Sequence, residues 1–228
     1  MTQKLAFDPI SPTYDRINRI LSFGQDLSWR RFVAKQLPTN IPLTLLDLAA
    51  GTLDQLIACM ESPAQIQSAT AIDLSPRMLE VGRAKIADKP YKDRICCLTS
   101  DLHQLPFQDN SFDAITLSFG IRNAADPKRA LTEIARLLKP KGRVLILEFS
   151  LAPYPWRPFH LFYLRYLLPS IGNLFSHNRE AYLYLSKTIL SFPYGAAFCS
   201  LLQESGLTSL RTFSLALGAV TLYVAEKS

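Results

Sequence analysis

Residues 45–54 read Leu-Leu-Asp-Leu-Ala-Ala-Gly-Thr-Leu-Asp, and residues 69–75 read Ala-Thr-Ala-Ile-Asp-Leu-Ser. One apolar run stops at Gly51, and 22 positions later a second stops at the carboxylate of Asp73. A doubly wound sheet holds a nucleoside this way: a tight turn follows the first strand, and an acid at the end of the second accepts hydrogen bonds from ribose hydroxyls.

Strand and helix signals alternate outward from this stretch. Strands are expected at 43–48, 68–73, 95–100, 112–118 and 144–149, with helices over 54–60, 76–87 and 127–138 between them. Ser75-Pro76 and Asp126-Pro127 each place a capping side chain before a proline at the first helical position. Residues 10–37 read as helical, with a second segment running from Leu27, and Pro38 and Pro42 break the chain after them. Beyond Ser150 the segment 151–191 is rich in aromatics and prolines and reads as a helical insertion. A helix at 198–205 and an antiparallel strand pair at 209–217 and 219–225 close the chain. The expectation is a single α/β domain with a Rossmann-like, mostly parallel seven-stranded sheet and an antiparallel last strand. A helical cap would occupy 1–42, a cofactor-binding core 43–150, a substrate-side insertion 151–191 and closing elements 192–228.

The chain has 228 residues, 48% of them hydrophobic, and a net charge of +6. That is enough for one large core and argues against disorder. The central block 47–150 is charge-balanced, and the excess positive charge lies in the flanks. No dense basic stripe is present, so a nucleic-acid partner is not expected. Mildly basic, aromatic-rich flanks suit an anionic membrane surface or substrate, or simply keep the surface soluble. The four cysteines form no Cys-x-x-Cys pair, which disfavours zinc and points to buried reduced thiols. No signal-peptide core and no apolar run of about 20 residues is seen, so the expected location is cytoplasmic, peripheral to a membrane at most.

Nine glycines include no Gly-x-Gly pair. The dinucleotide fingerprint and the phosphate loop are both missing, and their glycines exist to bring backbone close to phosphate. A nucleoside cofactor without phosphate fits better, and S-adenosylmethionine is one. On that reading Asp47 attracts the cofactor ammonium, directly or through water, and Gly51 and Thr52 shape the turn beside its amino-acid end. Asp73 holds the ribose, Asp101 with Leu102 presents a carboxylate and an N–H to adenine, and Ser118 contributes from the end of the fourth strand. Each has a plainer alternative: Asp47 as a helix cap, Asp73 as a turn residue, Asp101 as a loop acid. Their placement at successive strand ends favours the joint reading.

At these residues the chain resembles the class I S-adenosylmethionine-dependent methyltransferases, and more specifically the menaquinone/ubiquinone C-methyltransferase family. The resemblance spans about residues 7–226. It rests on Phe7-Asp8 with Tyr14-Asp15, on Trp29-Arg30-Arg31, on Asp73-Leu74-Ser75 with Met78-Leu79-Glu80, and most on Ser118-Phe119-Gly120-Ile121-Arg122-Asn123. It implies methyl transfer to a ring carbon of a prenylated quinol, demethylmenaquinol before a ubiquinone precursor. It also implies cofactor contacts at Thr52, Asp73, Asp101, Leu102 and Ser118. O- or N-methylation of another small aromatic, and a non-catalytic relative, are the competing readings.

Such chemistry needs a group to stabilise the quinol anion. Arg122 is the leading candidate, with a salt bridge to Asp126 as its structural alternative; Asn123 would bond a quinol oxygen, Tyr14 would act as a lid or else pack between helices, and His160 could serve as a base, though a lone histidine is more often structural. The aromatic segment 154–175 would line the entry for an isoprenoid tail or rest on a bilayer, or else pack in the core or in a homodimer. The pattern departs at Leu53, where such methyltransferases usually carry a second glycine. A leucine there is expected to resist a positive φ and to bring bulk near the cofactor. Lys141 also replaces a glycine, in a turn expected to tolerate it.

Overall fold

The computed structural model describes residues 14–170 and 179–227. Phe7, Asp8 and the start of the first expected helix at residue 10 lie outside them, as does Phe175. Seven strands form one sheet: β1 Pro42–Leu48, β2 Gln65–Asp73, β3 Ile95–Thr99, β4 Phe112–Ser118, β5 Leu138–Phe149, β6 Leu207–Leu215 and β7 Val220–Lys227. Their spatial order is β3-β2-β1-β4-β5-β7-β6, and all neighbours pair in parallel except β7, which runs antiparallel to β5 and β6. The chain winds outward from β1 in both directions, so β1 and β4 flank the point where strand order reverses. Open α/β sheets leave a crevice at the carboxyl ends of those strands.

Burial explains the apolar runs. Along β1, Leu43 and Leu45 enter one core and Leu46 and Leu48 the other, the two-residue period of a strand covered on both faces. Helices α1 Tyr14–Leu21, α2 Gln25–Ala34, α3 Asp54–Met60, α4 Pro76–Ile86 and α5 Pro127–Leu137 precede β5. The two proline-opened helices start as their capping residues require: Ser75 accepts the Met78 N–H at 3.2 Å, and Asp126 accepts the Arg129 N–H at 3.0 Å. α5 then buries Ala130, Leu131, Ile134 and Leu137, spaced for one helical face.

The insertion holds α6 Arg157–Phe162, continued by a π-helical turn at Tyr163–Leu167, and α7 Arg179–Ser191. Leu164, Leu168, Tyr182 and Ile189 form a third, smaller core that takes in Ile17 of α1. The helical cap and the insertion thus pack on each other above the crevice. α8 Ala196–Glu204 buries Phe198 and Leu202 in the second core beside Leu207 of β6 and Tyr223 of β7.

Several boundaries differ from expectation. β5 begins at Leu138 rather than Val144, because Leu138 pairs with Phe112 before the register shifts and Arg143 pairs with Ala114. The turn expected around Lys141 is therefore an irregularity inside the strand. Lys141 sits there exposed at φ 62°. β6 ends at Leu215, and residues 216–218 form a short turn. Among the cysteines only Cys59 is buried; Cys96 is exposed because β3 is an edge strand.

Candidate active site

The crevice holds two adjoining spaces. The smaller, about 20 Å³, lies at the ends of β1 and β4 and is lined by Asp47, Gly51, Thr52, Asp54, Gln55 and Ser118 among others. The larger, about 220 Å³, lies beneath α1, α2, α6 and α7, with Trp29, Phe119, Phe149, Tyr163 and Tyr182 in its walls. Tyr14 and Arg30 line both and form the shared partition.

The turn after β1 carries its strain openly. Ala49, Gly51 and Leu53 all have positive φ, at 48°, 52° and 67°. Leu53 thus takes the left-handed conformation expected to exclude it, at a cost on the order of 1–2 kcal/mol. Its side chain also points away from the expected direction. It is fully buried in the core, over Gly82 of α4, where a Cβ would stand 2.4 Å from Leu53 Cγ. The missing glycine at 53 is offset by a glycine at 82, which opens the space that receives the leucine, and the small cleft keeps its room.

Asp73 closes the turn. Its Oδ2 accepts the Gly51 N–H at 2.8 Å, and its Oδ1 accepts the Ser75 N–H at 2.8 Å. Asp47 is fully buried on the sheet. Its Oδ1 accepts the Thr116 hydroxyl at 2.6 Å, and Oδ2 has no partner. Burial pushes its pKa up to about 7, against the opposing pull of the Thr116 hydroxyl and the Arg30 charge. The Ser118 hydroxyl donates to Gln55 Oε1 at 2.9 Å, and Gln55 Nε2 donates to the Arg30 carbonyl at 3.2 Å. The end of β4 is thereby tied to α2.

Thr52 is buried and donates its hydroxyl to Asp15 Oδ1 at 2.5 Å. Asp15 begins a chain of ion pairs that runs through Lys85 to Asp54, then through Arg19 to Asp26. These pairs hold α1 and α2 to α3 and α4. Asp101 lies apart and exposed, paired with His103 Nδ1; partial burial pushes its carboxyl up, but the His103 N–H and ring together outweigh that and hold it below the usual range. His103 Nε2 accepts the Asp126 N–H at 3.1 Å, which fixes the ring between two loops. Leu102 packs on the second core.

In the larger cavity, Arg122 pairs with Glu148 at 2.8 Å, both side chains buried, and not with Asp126. It also bonds the Phe119 carbonyl, and its guanidinium lies 5.1 Å from the Phe149 ring centroid. Its Nε has no partner. Asn123 lies outside the lining of this cavity with its Oδ1 buried and unpartnered. Residues 121–123 form a tight three-residue turn, which aims successive side chains about 120° apart and turns Asn123 away from the direction of Arg122. His160 lines the cavity, and burial lowers its pKa. Its Nδ1 accepts the Ala152 N–H at 3.2 Å, so the neutral ring carries its proton on Nε2. That tautomer makes Nε2 a donor and favours the structural reading of this histidine over the base.

Sequence reasoning missed Asp26 and Arg30. Both are buried, and with Trp29 they line the larger cavity from positions i, i+4 and i+3 of α2. That spacing puts an acid, an indole and a guanidinium on one helical face, a signal available in Gln25–Arg31. Among the described residues, four buried side-chain polar atoms lack a partner: Arg30 Nε, Asp47 Oδ2, Arg122 Nε and Asn123 Oδ1. Three belong to residues lining these spaces, and the fourth to their sequence neighbour. Buried polar atoms left unpaired cost about 1–3 kcal/mol each, so their concentration here marks a place built for a ligand. An acceptor and donors beside a glycine turn fit the amino-acid end of S-adenosylmethionine.

Fold and crevice together define an S-adenosylmethionine-dependent methyltransferase of the doubly wound class. The solved structures agree on the fold: a Thermotoga maritima methyltransferase superposes with a TM-score of 0.71 over 99% of this chain and 100% of its own, at 17% identity. One from Aquifex aeolicus gives 0.64 over 87% and 89%, at 16% identity. The model of the ubiE/COQ5 methyltransferase family matches residues 2–227, and the chain belongs to that family. A ubiquinone/menaquinone biosynthesis C-methyltransferase of Geobacter sp. (strain M21) is 41% identical over 97% of this chain and 94% of its own length. A demethylmenaquinone methyltransferase of Clavibacter sepedonicus is 39% identical over 95% and 86%.

Proposed function

We propose that this chain methylates a ring carbon of a prenylated quinol, with demethylmenaquinol as its substrate. The observation that carries the reading is the partition itself: an aromatic-walled cavity adjoins the acid-lined cleft, and Tyr14 and Arg30 face both. A flat, apolar acceptor in the one would abut a methyl donor in the other. When bound, S-adenosylmethionine supplies an electrophilic methyl group on a sulfonium.

Asp47, Gly51, Thr52, Asp73, Asp101 with Leu102, and Ser118 would hold that cofactor, and the remaining work falls to the larger cavity. Its aromatic walls bury the quinol ring and exclude water, which strengthens every charge interaction inside. A ring carbon becomes nucleophilic when a neighbouring hydroxyl is deprotonated, so the cavity must favour the anion. Arg122 keeps Nε available and brings a fixed positive charge to the wall, and His160 offers Nε2–H to a quinol oxygen. Tyr14 stands at the boundary as a lid residue.

The insertion divides its faces. Leu164 and Leu168 turn inward, whereas Tyr154, Phe159, Phe162 and Tyr166 are exposed. That outer face would rest on the membrane surface where a prenylated quinol resides. Among the described residues, no helix is long and apolar enough to cross a membrane.

The test is incubation of the protein with labelled S-adenosylmethionine and each demethylated quinol in turn, with the product identified by mass and fragmentation. A ring-methylated menaquinol is expected. Preference for a ubiquinone precursor would move the substrate, and an O- or N-methyl product would overturn the reading.

A further inference from the structure

We propose that Arg30 anchors the α-carboxylate of the cofactor's amino-acid end, so that the small cleft reads a zwitterion with one acid and one guanidinium. The inference rests on the S-adenosylmethionine reading above and deepens it. Two carboxylates and one guanidinium line the cleft: Asp47, Asp54 and Arg30. Asp54 is spent on Lys85 and Arg19. One oxygen of Asp47 is spent on Thr116. What remains unpaired and buried is an acceptor, Asp47 Oδ2, and a donor, Arg30 Nε.

An α-amino acid carries the complement of that pair, an ammonium and a carboxylate on one carbon. A ligand with an ammonium alone would leave the Arg30 donor stranded, and a lone anion would meet the two acids. Arg30 is only 7% exposed, so it gains little from water in place of a partner. Its position is also fixed beforehand. The guanidinium lies 5.6 Å from the Phe119 ring centroid, and Gln55 ties the Arg30 carbonyl to Ser118 at the end of β4. A pre-placed guanidinium is the side chain best suited to a carboxylate.

The experiment is calorimetry of the whole chain with S-adenosylhomocysteine and with its decarboxylated analogue, which keeps adenosine, sulfur and amine. The wild-type protein should prefer the carboxylate-bearing ligand by about 10- to 100-fold, the range of a charge-assisted hydrogen bond. Arg30→Met should bind the two with nearly equal affinity, and Arg30→Lys should keep most of the preference. A wild type that does not discriminate overturns the inference without any variant. Arg30→Met with the preference intact also overturns it, and slowed turnover in that variant would then assign Arg30 to the quinol side of the partition. Failure of the wild type to bind S-adenosylhomocysteine at all would sink the cofactor reading as well.

Discussion

The polar cleft and the apolar cavity share a wall but arise from different parts of the fold. The cleft is built from residues just beyond the ends of β1 and β4, held by strand pairing and by turns that the sheet dictates. The cavity is built mostly from helices of the cap and the insertion packed over the sheet. In the cleft, polar atoms are fixed in place and some are left unpaired. In the cavity, charge is imported in buried pairs and the walls are aromatic. A nucleoside-binding crevice can therefore be common to many enzymes of this fold while the space beside it is set by helices that differ among them.

The largest effect should come from breaking the charge pair of the cavity. Arg122→Ala leaves Glu148 buried and uncompensated, and should cost about 3–5 kcal/mol of stability, read by denaturant unfolding. Replacing both partners with apolar residues of similar size should recover most of that loss. Asp47 supplies the matching test in the cleft. Its folded-state pKa of about 7 lies above the ordinary 3.8. The folded chain therefore binds more protons than the unfolded chain between about pH 4 and pH 7, and stability falls as pH rises through that window. Asp47→Asn should melt like the wild type near pH 4 and be more stable at pH 8, by on the order of 2–4 kcal/mol. The same variant should bind S-adenosylhomocysteine more weakly.

Asp73→Ala removes the acceptor of two backbone N–H groups as well as the proposed ribose contact. Affinity for S-adenosylhomocysteine should drop about 100-fold by calorimetry, and unchanged affinity would refute the assignment. A smaller effect sharpens the account of the turn. Gly82→Ala should cost about 1–3 kcal/mol alone, because its methyl meets Leu53, and much less in a Leu53→Ala background. Additive costs would show that the two residues do not share one space.

The cleft was legible in the sequence to the extent that strands dictate it. Gly51, Asp73 and Ser118 could be placed because each ends an apolar run, and Asp47 because it interrupts the first run near its end; the structure sets each near a strand end or in the turn beyond. Leu53 was misjudged because its strain could be read locally, whereas the relief comes from Gly82 on another helix. The cavity was less legible. Arg122 was found, but its partner Glu148 lies 26 residues away on a neighbouring strand, and nothing local favours it over Asp126. His160 was named without its tautomer, which depends on the Ala152 N–H. Asp26 and Arg30 were visible as a helical face, but the direction of that face is set by how α2 meets the sheet.

The chain of ion pairs from Asp15 to Asp26 has a kinetic consequence. It ends on the Thr52 hydroxyl, so lifting α1 to admit or release a ligand means parting charges that are only partly shielded from water. Salt at about 1 M shrinks the reach of such charges to ~3 Å. Product should then escape faster in concentrated salt than in dilute buffer while the sheet beneath stays intact, and stopped-flow release rates measured across a salt series would record the hinge loosening.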